Sequence, residues 1–236
     1  MNLVRGLIFN FFYATSVIVY GIIINLVVPF LSIEKRRKVL RVWPVMIEFL
    51  LKAICGIRYQ VEGLENIPNE PVVIISNHQS SWETIILYKV LGPLCTVLKK
   101  ELTYIPIFGW TLRWAQPIAI DRSKKATALK EILRQGKNRL AAGLSVMIFP
   151  EGTRVNPKDT KPHMPGGAML SVKANAKALP VAHNSGCHWP AHKISKTPGV
   201  IRVKIGEPID PTGMDAKQLN KQLENWINEE KAKLVC

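Results

Sequence analysis

An asparagine–histidine pair, Asn77-His78, is followed five positions after the histidine by Glu83. A histidine can take the proton of a hydroxyl near neutral pH. A carboxylate on its other ring nitrogen fixes the tautomer and steadies the imidazolium. Further along stand Ile120-Asp121-Arg122 and then Phe149-Pro150-Glu151-Gly152-Thr153-Arg154. The first block suggests a general base. The other two suggest cationic clamps for an anionic substrate, since arginine offers a planar fork of N–H donors to phosphate oxygens. On a regular helix five residues turn the chain by ~500°, leaving His78 and Glu83 ~140° apart. They face each other only if His78 lies in a loop before the helix and the chain turns at Gln79-Ser80. Plainer readings exist for each block. Ser80-Ser81-Trp82-Glu83 fits a capping box, a lone histidine is more often structural, and residues 149–154 alone describe a strand-end turn with a surface arginine.

The elements that must position these blocks alternate between strand and helix. Residues 71–76 form a short apolar run rich in β-branched side chains, a buried strand ending at Asn77-His78. A helix is expected over 81–91, closed by Gly92-Pro93. Strands are expected over 94–98 and 116–120, the second ending at Asp121-Arg122. Ser123 then caps a helix to residue 142, and Gly143 stops it. Residues 144–149 form another buried strand, ending at Pro150-Glu151-Gly152. A helix over 167–178, strands over 179–182 and 200–205, and an amphipathic helix over 215–233 complete the chain. The pattern is that of an α/β domain. All three chemical blocks fall at carboxyl ends of strands, where such sheets carry ligands.

Ahead of this domain, residues 7–31 carry no charged side chain. At ~1.5 Å per residue, such a helix reaches across a hydrocarbon core of ~30 Å. It is too long for a signal peptide and lacks a small-x-small cleavage pattern. Lys35, Arg36, Arg37, Lys38 and Arg41 follow it, whereas only Arg5 and the amino terminus are positive before it. The positive-inside rule then predicts a membrane protein with its domain on the cytoplasmic face. Residues 42–57, interrupted by Glu48 and Lys52, read as an amphipathic helix at the membrane surface or on the domain. The expected division is a membrane-associated helical segment, 1–58, and an α/β domain, 59–236. Net charge is +15. That suits an anionic membrane surface or a phosphorylated substrate. No nucleic-acid recognition motif is present, so nucleic acid is not an expected partner. Cys55, Cys95, Cys187 and Cys236 show no zinc or redox spacing and are expected as reduced thiols. His183, Cys187, His188 and His192 match no standard ligand spacing, so no metal is expected.

Taken in order, the blocks resemble the glycerolipid acyltransferase family over about residues 70–185. Asn77 to Glu83 is similar to the family's Asn-His-x4-Asp block, with Glu83 one methylene longer than the usual aspartate. Lys99-Lys100-Glu101-Leu102 through Ile120-Asp121-Arg122 resembles the second block, and Phe149 to Arg154 resembles the third without departure. Leu179-Pro180-Val181-Ala182 is similar to the short fourth block. Just before it, Lys161 and His163 lie near a position that is often basic in the family. The resemblance implies an α/β sheet with flanking helices and an acyl transfer. An acyl group would pass from a coenzyme A or acyl carrier protein thioester to the 2-hydroxyl of 1-acyl-sn-glycerol 3-phosphate. The product is phosphatidate, a step of phospholipid biosynthesis. His78 is then the base and Glu83 its partner. Lys100, Arg122, Glu151, Gly152, Thr153 and Arg154 bind substrate, and no metal or redox cofactor is needed. No Gly-x-Ser-x-Gly elbow supports a serine acyl-enzyme. Other acceptors (another lysolipid, glycerol 3-phosphate) share this chemistry, and a non-catalytic membrane adaptor holding anionic lipid shares the basic surface.

Overall fold

A computed structural model describes residues 1–234 and Cys236. Helix α1 (Asn2–Val27) continues into a 3-10 turn at Val28–Phe30. This stretch is long and apolar enough to cross a membrane. It buries a narrow stripe, Phe9 and Ile24 among it, while Leu7, Phe11, Ile18 and Ile22 stay exposed. Both ends are tied to the same body. Lys196 N–H donates to the Asn2 carbonyl at 3.3 Å, and Asn25 Nδ2 donates to Thr111 Oγ1 at 2.8 Å. Gly6 permits the close approach, because a Cβ there would lie 2.0 Å from the Ile194 carbonyl oxygen. The Lys196 ammonium sits 5.3 Å from the Trp189 ring and 5.8 Å from that of Phe9, a cation–π clasp on the helix. The apolar helix therefore lies along the domain.

Helix α2 (Ile33–Leu40) carries the basic cluster. Helix α3 (Val42–Leu50) runs into a π turn at Leu51–Cys55. It buries Pro44, Ile47, Leu51 and Cys55 and leaves Val42, Val45 and Phe49 exposed, which is the amphipathic segment expected there. Among the described residues seven strands follow: β1 (Ile57–Glu62), β2 (Val73–Ser76), β3 (Leu94–Lys99), β4 (Ile118–Ile120), β5 (Ser145–Ile148), β6 (Ala178–His183) and β7 (Gly199–Ile205). They form one sheet in the order β1-β7-β6-β2-β5-β3-β4, parallel except for the β6–β7 pair. Parallel neighbours need helical crossovers. These include α4 (Trp82–Val90), α5 (Phe108–Trp114), α6 (Lys125–Ala141) and α7 (Gly166–Ala174); α8 (Ser185–His188) and α9 (Ala216–Lys233) complete the fold.

The apolar runs of β2, β5 and β6 are buried at every position because both sheet faces are covered. Alternate residues serve opposite layers. Val73, Ile75, Val146 and Ile148 pack with Ile132, Leu170, Leu219 and Leu223 from α6, α7 and α9. Ile74 and Met147 join the cluster of Trp82, Ile86 and Leu87 of α4, together with Phe9 and Ile47 of the N-terminal helices. The N-terminal segment thus closes one face of the domain.

Several expectations change. Strand β1 begins at Ile57, ahead of the 58/59 boundary, and pairs with β7 from Ile57↔Gly199 onward. Ser123 does not cap α6. Its N–H and hydroxyl donate to Asp121 Oδ1 at 3.0 and 2.6 Å, and Lys124 takes the N-cap position. Helix α7 ends at Ala174, since Asn175 turns left-handed (φ 48°), which frees Ala178 to open β6. The cysteines are not all reduced thiols. Cys187 and Cys236 form a disulfide, their Cα atoms 5.3 Å apart, while Cys55 and Cys95 are free and buried. The two cysteines are 49 positions apart in sequence, and the fold brings Cys236 back to α8.

Candidate active site

Three adjacent parallel strands end side by side. The loop after β2 delivers His78, the loop after β5 delivers Glu151, and the turn after β6 delivers Ser185. His78 precedes α4 and does not belong to it, so the pairing that a continuous helix forbids is made. His78 Nδ1 lies 2.8 Å from Glu83 Oε1. An ionised carboxylate only accepts, so Nδ1 carries the proton and Nε2 keeps its lone pair. Among the described residues Nε2 makes no hydrogen bond. Phe149 stacks on the imidazole at 4.3 Å and 19°, holding the ring in plane.

Glu83 is completely buried. Its Oε1 also accepts from the N–H groups of Gln79 at 2.8 Å and Ser80 at 2.7 Å, and Oε2 accepts from Ser185 Oγ at 2.8 Å. Burial pushes its pKa up; the His183 and His78 imidazoles and the Ser80 N–H outweigh this and hold the carboxyl at about 2. Burial lowers the pKa of His183 itself, whose Nε2 lies 2.8 Å from the Asn77 carbonyl and whose Nδ1 lies 3.4 Å from the Ser185 nitrogen. The imidazoles and the donors around Glu83 together favour its ionised form. The expected capping box is only half made, since Ser81 takes the N-cap position of α4 without a side-chain capping bond. Glu83 bonds Ser80 N–H while Ser80 Oγ accepts from Trp82 N–H at 3.0 Å.

Glu151 points inward, and it borders the cavity that Arg122 and Gly152 also line. It is buried, and its Oε2 accepts from the backbone N–H of His78 at 2.5 Å. The Val155 N–H donates to the His78 carbonyl at 2.7 Å, so the 149–155 loop grips the histidine on both sides. Burial pushes Glu151 up to about 7, against the pull of the His78 N–H and Lys231. Gly152 takes φ 69°, and a Cβ there would fall 2.4 Å from Met164 Cε. Only glycine makes this turn without strain.

The cations are arranged differently. Arg122 is exposed and donates from Nη1 to the Gly152 carbonyl at 2.5 Å, which joins the second block to the third. Lys100 is exposed, 6.0 Å from the Tyr104 ring. Thr153 is exposed, and Arg154 is half-buried, close enough to Tyr13 of α1 to act on it electrostatically. Beside Arg122 opens a cavity of about 440 Å³. Val97, Ile120, Leu129, Ile132 and Ile148 line it, with Arg122, Lys125 and Lys161 as its cations. His163 is turned away from it and buried, its N–H on Glu224 Oε1 at 3.2 Å. Sequence reasoning missed Ser185, the reciprocal Asn77–His183 clamp (2.9 and 3.0 Å) and the Phe149 stack. The polar run His183-Asn184-Ser185-Gly186 at the end of an apolar strand carried the same signal as the other blocks.

This geometry agrees with relationships to known proteins. The Acyltransferase family model matches residues 58–184. The chain is 41% identical over 235 residues to a 1-acyl-sn-glycerol-3-phosphate acyltransferase of Pseudomonas aeruginosa, covering 98% of this chain and 91% of that protein. It is 30% identical over 168 residues to human 1-acyl-sn-glycerol-3-phosphate acyltransferase beta, covering 70% of this chain and 60% of that protein. The crystal structure of the 1-acyl-sn-glycerophosphate acyltransferase PlsC from Thermotoga maritima superposes with a TM-score of 0.81 at 28% identity, covering 98% and 95% of the two chains. The chain is an enzyme and belongs to the acyltransferase family.

Proposed function

We propose that this enzyme transfers an acyl group from a thioester to the 2-hydroxyl of 1-acyl-sn-glycerol 3-phosphate, forming phosphatidate. The observation that carries the reading is the buried His78–Glu83 pair at 2.8 Å, with Nε2 left as the one basic ring nitrogen. Nε2 takes the hydroxyl proton as the oxygen attacks the thioester carbonyl. The resulting imidazolium is stabilised by ionised Glu83. As the tetrahedral intermediate collapses, the C–S bond breaks and the imidazolium returns its proton to the departing thiolate. Arg122 and Arg154, with Lys100 further out, hold the acceptor phosphate; Gly152 and Thr153 shape the turn between them. Glu151 braces His78 through its backbone. The apolar cavity with cationic residues fits an acyl chain whose polar end meets Arg122, Lys125 and Lys161.

The donor is a coenzyme A or acyl carrier protein thioester, both acidic and suited to a chain of net charge +15. No metal or redox group takes part in this route. The exposed apolar face of α1 and α3 rests in lipid, and the basic cluster on α2 lies against anionic headgroups on the cytoplasmic side. The decisive experiment uses purified protein in mixed micelles with radiolabelled lysophosphatidate and each donor, beside His78→Ala. Phosphatidate formed by wild type and lost in the variant is the expected result. No phosphatidate with either donor would refute the assigned acceptor.

A further inference from the structure

We propose that Ser185 is a positioning residue for the His78–Glu83 pair, recruited by the longer acid at position 83. The inference rests on the reading of His78 as the base. The two oxygens of Glu83 are filled from different sources. Oε1 takes three donors (His78 Nδ1, Gln79 N–H, Ser80 N–H) from its own loop, whereas Oε2 takes one, Ser185 Oγ at 2.8 Å. Both side chains are wholly inaccessible to solvent, so water cannot replace that donor. Ser185 aims its hydroxyl at the acid and not at the histidine, so it is no nucleophile.

The serine is itself fixed. Gly186 N–H donates to Gln79 Oε1 at 3.0 Å, and the Asn77 side chain clamps the His183 backbone. The segment that opens α8 is thereby stapled to the loop that carries His78. Without the Ser185 hydroxyl, Oε2 would be an orphaned buried anion. Glu83 would then take up a proton more readily or rotate, and either change weakens its hold on the imidazolium formed in the transition state. Aspartate at position 83 would draw the carboxylate back by about one C–C bond, ~1.5 Å. The loop donors can follow that retreat, since they sit on the same turn. Ser185, on another strand's end, cannot. Glutamate and Ser185 therefore act as one unit.

The test is a double-mutant cycle read in kcat and KM, with Ser185→Ala, Glu83→Asp, their combination and His78→Ala. Ser185→Ala should lower kcat by about 10- to 100-fold, the worth of a hydrogen bond to a buried charge, with both KM values within about twofold. In the Glu83→Asp background the same change should cost less than about twofold. Ser185→Cys, of similar size with a weak S–H donor, should fall between serine and alanine, and it separates a lost bond from a lost fold. The proposal is overturned if Ser185→Ala keeps wild-type kcat, or if it costs as much beside aspartate as beside glutamate. An active His78→Ala would instead bring down the reading of the base. An inactive His78→Ala with a silent Ser185→Ala would bring down this inference alone.

Discussion

The two halves of the site are built on opposite plans. The His78–Glu83 pair is buried, its carboxylate takes four donors, and the loop that carries it is gripped from the ends of two neighbouring strands. The cations Arg122 and Lys100 are exposed, and Arg122 holds one backbone carbonyl. On the proposed reading the difference follows from the two tasks, proton transfer at His78 and phosphate binding at the cations. A proton-transfer pair depends on fixed geometry and a low dielectric, which the sheet ends supply. A phosphate clamp needs charge and reach, and it works while solvated, at the cost of strength and sensitivity to salt.

That contrast can be broken or sharpened by experiment. The largest effect should come from the buried half: His78→Ala lowers kcat by about 10²–10⁴-fold while acceptor KM changes little. Next comes Glu151. Its folded value of about 7 lies above the ordinary 4.5, so the folded state keeps a proton that the unfolded chain gives up. This group's contribution to stability therefore falls as pH rises from about 4.5 to 7. Urea unfolding of wild type and Glu151→Gln should diverge by up to about 3 kcal/mol across that window, with wild type losing ground toward high pH. Glu83 acts with the opposite sign: depressed to about 2, it adds stability above its ordinary value that is lost as pH drops toward 2. Parallel pH curves for wild type and Glu151→Gln would show that Glu151 is ordinary despite its burial.

Smaller effects are expected in the exposed half. Arg122→Ala should raise acceptor KM by about tenfold with kcat little changed, since one charge-assisted contact is removed while the base stays in place. A loss confined to kcat would move Arg122 into the group that holds the loop, through its bond to Gly152. Lys100→Ala should stay within about threefold at moderate ionic strength, and that difference should shrink further in high salt. A salt-independent tenfold effect at Lys100 would erase the contrast between the halves.

The strands and helices that carry the chemistry were legible because their signals are local. The runs of β2 and β5 are buried throughout and apolar at all but one position each, and Asp215 with Gln218 completes a capping box at the start of α9. The short edge strand β1 was not, since Ile57–Glu62 alternates like the tail of the amphipathic segment before it and becomes a strand only by pairing with β7. Ser123 looked like a helix cap because serine commonly is one. Asp121, two residues earlier, competes for its donors and wins.

By itself the sequence determined the α/β class, the long apolar N-terminal run with an amphipathic helix after it, and the spacing that lets His78 meet Glu83, because hydrophobic period, turn residues and short motifs act over a few residues. It also placed each block at a strand end. The tertiary structure decided which strand ends lie side by side, and hence that Glu151 faces the His78 backbone and Ser185 the Glu83 carboxylate. It decided that both ends of the apolar helix rest on the domain, and that Cys187 meets Cys236. These contacts join residues about 50 to 190 positions apart. No local preference encodes such a pairing; it is set by the order in which parallel strands pack, a property of the whole sheet.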